Sequence, residues 1–372
     1  MSKAKVIAAV GVVAVIVVVL AVYLAQQDNP DTVRIGAILP MTGQAAGYGK
    51  WMQRGIALAV DDINAEGGIG GKKLEVIVED SKSDNRAGAD AANKLVGVDR
   101  VPAIITALTG VTQSVAPVTE RNRIVLFTLA VAPGLTDDKA FVFRNITNVA
   151  NEVARMVSAC KDELHLKRVT LIHINNPPGL WVAEHFRKQM EAIDGEVPAV
   201  ESFQPDTTDF RTQLTRMKSS DPDALYILGY QQNGLIMKQA RELGLKCQFL
   251  GITDCELPEV IRIAGDAAEG VVYTKAAFDL TDKGAAEFAA KYTARFGEPP
   301  EVYGATSYDA VRMIAMAIAK GDGDPAALRT LILSIKDYPG VSGVTTFLPN
   351  GDVQKPVELK KIEHGQFVPF SR

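Results

Sequence analysis

From Val33 onward, apolar segments of strand length alternate with segments of helical period, and that alternation admits only one broad class of fold. "VRIGAIL" is followed by Met52, Ile56, Val60 and Ile63 at helical spacing, then by "LEVIVED". A helix face of Ala87, Ala91 and Leu95 precedes the strand "VPAIITAL", a short helix from Thr112 and the strand "IVLFTLA". Successive strands joined through helices need crossovers, so the pattern predicts a parallel sheet covered by helices on both faces. A second such series starts after "FVFRNIT". It runs through "RVTLIHI", "EVPAVESF", "ALYILGY" and "CQFLGIT", with a helix face of Phe210, Leu214 and Met217 and another of Ile236, Ala240 and Leu243. The fold class is therefore α/β, with two doubly wound lobes in tandem, as 372 residues would suggest. Beyond Gly270 come the strand "VVYTKAAF", helices near 284–296, 303–319 and 325–335, and the strands "GVTTFL" and "PVELKKI". Asn350-Gly351 between those two strands reads as a hairpin turn. No low-complexity linker divides the series, which predicts several crossings between lobes, and hence a hinge.

Residues 1–30 stand outside this pattern. Lys3 and Lys5 precede an uncharged apolar stretch from Val6 to Ala25, long enough for an export signal or a membrane span. A cleaved signal peptide and a retained anchor through residues 6–25 are both open, and either one exports the remainder. Without the two flanking lysines the chain carries 38 basic and 44 acidic residues. With no dense basic run, nucleic acid is excluded as a partner. Cys247 and Cys255 bracket "QFLGITD"; as a strand this separates them by roughly 25 Å, against the roughly 7 Å a disulfide tolerates. The cysteines are expected to be free thiols.

Enzyme signatures are missing. "GQAAGYGKW" (Gly43–Trp51) has five residues between Gly43 and Gly49 where a phosphate loop needs four, and Trp51 stands where a hydroxyl should hold magnesium. Neither GxSxG nor HExxH occurs, and the four histidines show no metal-binding spacing. Neither a catalytic residue nor a cofactor is predicted. Glu79, Asp80 and Asp84 read as a solvated loop. What the pattern does offer is a set of loops at the C-terminal ends of parallel strands, where open α/β sheets place ligands. "LTGVTQS" (Leu108–Ser114) is the most informative of these, since hydroxyls and a glycine at a helix start suit a carboxylate. An ordinary N-cap by Thr109 or Thr112 is the alternative reading.

"VRIGAILPMTGQAAGYGKWMQRGIALAVDDINAEGGIGGKKLEVIVEDSKSD", "DTTDFRTQLTRMKSSDPDALYILGY", "KQARELGLKCQFLG" and "AGDAAEGVVYT", taken in order, closely resemble the leucine/isoleucine/valine-binding proteins of ABC importers. The resemblance implies the type I periplasmic binding fold: two lobes joined by a three-strand hinge, a small-molecule ligand in the cleft between them, and an ABC permease as partner in the inner membrane. It divides the chain into residues 31–147 with 277–341 as lobe 1, and 148–276 with 342–372 as lobe 2. By matched motif it carries ligand contacts onto Tyr48, onto Thr109, Gly110 and Thr112, onto Val131 and Ala132, and onto Tyr230 and Tyr303. In the second lobe Trp181 is expected to replace a family tyrosine lost near Pro178. The acidic residue that pairs with a ligand ammonium is either Asp254 or replaced by Thr253. Ala132 lacks the family's hydroxyl, which puts an amino-acid ligand in question and leaves an aromatic or branched carboxylate open. The implied role is a periplasmic or otherwise extracytoplasmic solute-binding protein. A membrane-tethered sensor ectodomain working through a separate transducer is the alternative.

Overall fold

The computed structural model describes residues 31–353 and 355–370. The apolar strands form two sheets. The first has the order β2-β1-β3-β4-β5 and is parallel throughout, built from β1 (Thr32–Leu39), β2 (Lys73–Asp80), β3 (Ala103–Thr106), β4 (Val125–Thr128) and β5 (Val142–Arg144). The second uses β6 (Val169–Ile174), β7 (Val200–Phe203), β8 (Ala224–Leu228), β9 (Gln248–Gly251) and β10 (Val272–Ala276) in parallel. A separate hairpin is formed by β11 (Tyr338–Gly340) and β12 (Gly343–Thr345). β13 (Val357–Glu363) and β14 (Gln366–Pro369) then extend the second sheet antiparallel beside β10. β3, β4, β6 and β8 are buried throughout and mostly apolar, as is β1 from Ile35 onward, as strands covered on both faces must be.

The late helices return to the first sheet. Helix Val302–Gly321 lies against helix Ala46–Ala65 so closely that a Cβ on Gly55 would sit 2.0 Å from the carbonyl oxygen of Gly304. Glycine at 55 is thus a packing requirement, and so is Gly49, where a Cβ would meet the Pro40 carbonyl oxygen at 2.2 Å. The glycines of "GQAAGYGKW" have a structural cause in this packing, with Gly43 at φ +88° supplying the turn. Asp80 closes the neighbouring loop by accepting from the Met41, Thr42 and Lys82 amides and the Thr42 hydroxyl. Among the described residues no acidic or histidine cluster is arranged to hold a metal ion.

Connections between the two sheets run side by side. The Arg144 amide donates to the Gly351 carbonyl at 2.9 Å, Thr147 Oγ1 donates to Lys355 O at 3.2 Å, and the Ala277 amide donates to Pro356 O at 2.9 Å. Arg144, fully buried, pairs with Asp352 at 2.9 Å and donates to Ala130 O. Burial lowers its pKa, and the Asp352 charge opposes that. Phe347 packs edge-on against Phe127 and Phe143, so the chain stays with the first sheet until about Val353.

Two sequence expectations are corrected here. Asn350-Gly351 does turn the chain, bridging Phe347 to Val353, but the flanking strands do not pair with each other: β12 pairs with β11 and β13 with β10. The turn falls where the chain changes sheet, and tertiary position overrides the local hairpin signal. The helix expected from Thr112 begins at Thr109, one turn earlier. All three cysteines are free thiols. Among the described residues no helix is long and apolar enough to cross a membrane; the apolar segment 6–25 lies outside the described residues.

Candidate ligand-binding cleft

In each sheet the direction of winding reverses beside one strand, at β1/β3 in the first and at β6/β8 in the second. Open parallel sheets leave a crevice at that point, outside the carboxyl ends of the strands. Here the two crevices face each other. Residues after β3 and β4 (Leu108, Thr109, Leu129 to Val131) and residues after β6 and β8 (Asn176, Gly229, Tyr230) line one cleft, with Tyr48, Glu152, Asp254 and Tyr303. It encloses about 730 Å³ of space not filled by atoms, part of it open to solvent. Most of the wall is apolar, including Met52, Ile174, Val182, Leu228 and Ile252.

On the first-lobe side Thr109 opens the helix Thr109–Asn122, which has no side-chain cap at its N-terminus. Its hydroxyl is buried and has no partner among the described residues. Leu108 precedes it at φ +65°, a conformation that costs a non-glycine residue about 1–3 kcal/mol, and this twist starts the helix at the cleft. An unfilled hydroxyl beside uncapped backbone N–H groups is a seat for an anionic oxygen.

The opposite side is acidic. Asp254 lies in the 3-10 turn Thr253–Glu256, buried, and accepts a hydrogen bond from the Tyr48 hydroxyl across the cleft. Burial pushes its carboxyl up to about 7, with the Tyr48 bond acting against the rise. Glu152, on the first turn of helix Val149–Asp162, is pushed up to about 8 by burial and then by the Asp254 charge. It accepts from Thr274 Oγ1 at 3.2 Å. Among the described residues no lysine, arginine or histidine lines the cleft. The nearby Lys275 is engaged with Glu256, which also accepts from Lys360 at 3.0 Å and from the Tyr273 hydroxyl at 2.7 Å. Tyr48 stands at the centre of an aromatic group, its ring 4.6 Å from that of Tyr303 and 6.3 Å from that of Tyr230. Asn176 Nδ2 reaches the Tyr230 hydroxyl at 3.5 Å.

Of the residues expected to touch ligand, Tyr48, Thr109, Val131, Tyr230, Asp254 and Tyr303 are brought together on the cleft wall. Four are not. Thr112 faces inward and bonds the Thr106 and Thr128 hydroxyls at 3.1 and 2.9 Å, bracing the loop from beneath. Gly110 faces helix Asn85–Gly97, where a Cβ would strike Asn85 Oδ1 at 2.4 Å. Ala132 packs with Ala130 and Leu135, and Ala130 lines the cleft in its stead. Trp181 stacks on His185 with ring centroids 3.7 Å apart; its helix gives the cleft Pro178, Gly179 and Val182. Sequence reasoning missed Glu152, although a carboxylate three residues after Val149 and four before Met156, on the apolar face of a helix, is a readable signal.

The family model described as periplasmic binding protein matches residues 32–366. The Leu/Ile/Val-binding protein BraC3 of Rhizobium johnstonii is 30% identical over 353 residues, covering 90% of this chain and 93% of that protein. The branched-chain amino acid transporter substrate binding protein LivJ of Streptococcus pneumoniae, solved with isoleucine, superposes with a TM-score of 0.85 at 28% identity, covering 90% of this chain and 97% of that one. A solute binding protein of an ABC transporter from Rhodopseudomonas palustris, solved with 3,4-dihydroxybenzoic acid, superposes at 0.80 with 26% identity and coverage of 92% and 97%. These relatives are named for binding solutes and not for catalysis. With two crossed-over α/β sheets meeting at one cleft and a family match along nearly the whole described chain, this protein belongs to the periplasmic binding protein family.

Proposed function

We propose that this protein captures an amino acid-like solute outside the cytoplasm and delivers it to an ABC permease. The ligand has an apolar body, a carboxylate and an ammonium group. The observation that carries this reading is the pairing of opposite polarities across the cleft. Thr109 and its helix start offer unfilled donors on one side, while Asp254 stands on the other in a lining that, among the described residues, holds no cation. A ligand with one charge of each sign satisfies both; a plain carboxylic acid would leave Asp254 buried without a positive partner. The expectation drawn from Ala132, that an ammonium group would find too little compensation, loses its force once Asp254 and Glu152 both face the cleft.

The reading treats 31–147 with 277–341 as one lobe and 148–276 with 342–372 as the other; the seat of Phe347 favours extending the first to Val353. Ligand that touches both lobes binds the closed state better than the open one, and that difference drives closure. The test is a thermal-shift and calorimetric screen of the twenty amino acids against 3,4-dihydroxybenzoate and benzoate. Amino acids should raise the melting temperature and aromatic acids should not. The reverse outcome would replace this reading with that of an aromatic-acid binder.

A further inference from the structure

We propose that Glu152 and Asp254 together seat the ligand's ammonium group, and that the empty cleft keeps one proton on this pair, which leaves for solvent when the ammonium arrives. The inference rests on the amino acid-like reading and adds to it a second carboxylate and a proton.

Both carboxyl groups are more than nine-tenths buried and both line the same cleft. Their surroundings account for the proton. On β10, Thr274 donates one neutral hydrogen bond to Glu152, while Lys275 is held by Glu256. From β8, the buried Tyr226 adds no positive charge. The 3-10 turn brings Asp254, Cys255 and Glu256, all acidic or neutral. Across the cleft stand the Tyr48 and Tyr303 rings and, behind them, the carboxyl of Glu301, which accepts from the Tyr303 and Gly304 amides. Among the described residues Lys275 is the cation whose charge acts on Glu152, and it is already spent on another carboxylate. Two like charges buried on the wall of one cleft cannot both ionise cheaply, so the pair holds a proton at neutral pH. The burial of Glu152 and the elevation of its carboxyl to about 8 agree with this. An arriving ammonium group supplies the missing positive charge: one O–H bond breaks, the proton goes to buffer, and two carboxylates face one cation.

The experiment uses the full chain. In the ligand-free protein, carbon-13 NMR of the glutamate side-chain carboxyls should show one resonance titrating near pH 8. It should be absent in Glu152→Gln and shifted higher still in Thr274→Val, which deletes the hydroxyl donor. Calorimetry at pH 7.5 with L-isoleucine, L-alanine, L-glutamine and L-phenylalanine, each in phosphate and in Tris, then reads proton release as a buffer-dependent enthalpy. The wild type should release close to one proton per bound amino acid. Glu152→Gln should release markedly less and bind about tenfold more weakly, the loss of one charge-assisted bond. The wild-type measurements stand even if a variant fails to fold. Amino-acid binding with identical enthalpies in both buffers, or a Glu152 resonance titrating in the ordinary carboxylate range, overturns this inference alone. Failure of all four amino acids to bind overturns the amino acid-like reading and this inference with it.

Discussion

Replacing Thr109 with valine deletes one hydroxyl and preserves the shape and β-branching of the side chain. Because that hydroxyl is buried without a partner among the described residues, the ligand-free protein carries its desolvation cost, about 1–3 kcal/mol for a group of this kind. Thr109→Val should thus leave ligand-free stability unchanged or raise it by up to about 1 kcal/mol. The bound state behaves in the opposite way. A hydrogen bond from the hydroxyl to a ligand carboxylate is worth about 1.5–3 kcal/mol, so affinity should fall by about 10- to 100-fold. Differential scanning calorimetry of the empty protein, paired with isothermal titration of the best amino acid from the screen, measures both signs in one variant. A variant that melts several degrees lower when empty and binds with unchanged affinity would refute the reasoning, because it would mean that the hydroxyl serves the fold.

Three further outcomes follow from the hinge, the helix contact and the buried acids. Asp352→Ala leaves Arg144 buried without its partner and should cost about 3–5 kcal/mol in urea unfolding, whereas the double replacement Arg144→Met with Asp352→Leu should cost clearly less. Gly55→Ala forces a methyl into the Gly304 carbonyl; overpacking of this kind costs about 1–3 kcal/mol, and since Tyr48 and Tyr303 ride on the two helices being pushed apart, ligand affinity should fall with stability. Glu152 near 8, Asp254 near 7 and Glu301 near 7 are all raised by burial, so the native state holds protons that the unfolded chain has lost. Their stabilisation is complete below the unfolded values near 4 and is lost as pH rises through 7 and 8, so chemical denaturation of the empty protein should show stability falling by several kcal/mol, roughly 1.4 for each unit and group, between pH 5 and 8. Lys355, lowered to about 8 by burial, acts in the opposite direction above that pH. A flat profile from pH 5 to 8 would contradict the burial of these carboxyls.

The two-lobed α/β architecture was readable because it is written in periodicity, and period survives ignorance of tertiary context. The predicted helix near 284–296 is observed as Lys283–Phe296, and the one near 303–319 as Val302–Gly321. The cleft was readable to the level of loops, since the ends of parallel strands are ligand positions in any doubly wound sheet. Single residues were harder, and Thr109 and Thr112 show why. Both are hydroxyls at the start of one helix, three residues apart, and a one-turn error in the helix start exchanges which of them meets the cleft and which bonds the sheet. Trp181 failed for a related reason: large aromatics near a ligand loop invite assignment to its wall, but His185 one turn on offers a flat ring, and stacking there turns the indole away.

Glu152 is the instructive omission, because it belongs to no spacing motif and to no charge pair visible along the sequence. A lone carboxylate on the apolar face of an amphipathic helix is expensive unless something compensates it. Among the described residues the compensation is one threonine hydroxyl and a lysine already bound to Glu256. That shortfall is what separates a binding group from a structural one. Glu256, equally buried but flanked by Lys275, Lys360 and Tyr273, has its cost met internally and is held below the usual carboxylate range despite its burial. Glu152 and Asp254 have theirs left open, on the wall of a cleft that faces Thr109's unfilled hydroxyl. Polar groups left incomplete on both sides of one cavity make sense if a third molecule completes them. Filling that cavity should therefore raise the melting temperature more at pH 8, where the pair is closest to full ionisation, than at pH 5, where a retained proton already supplies part of the compensation.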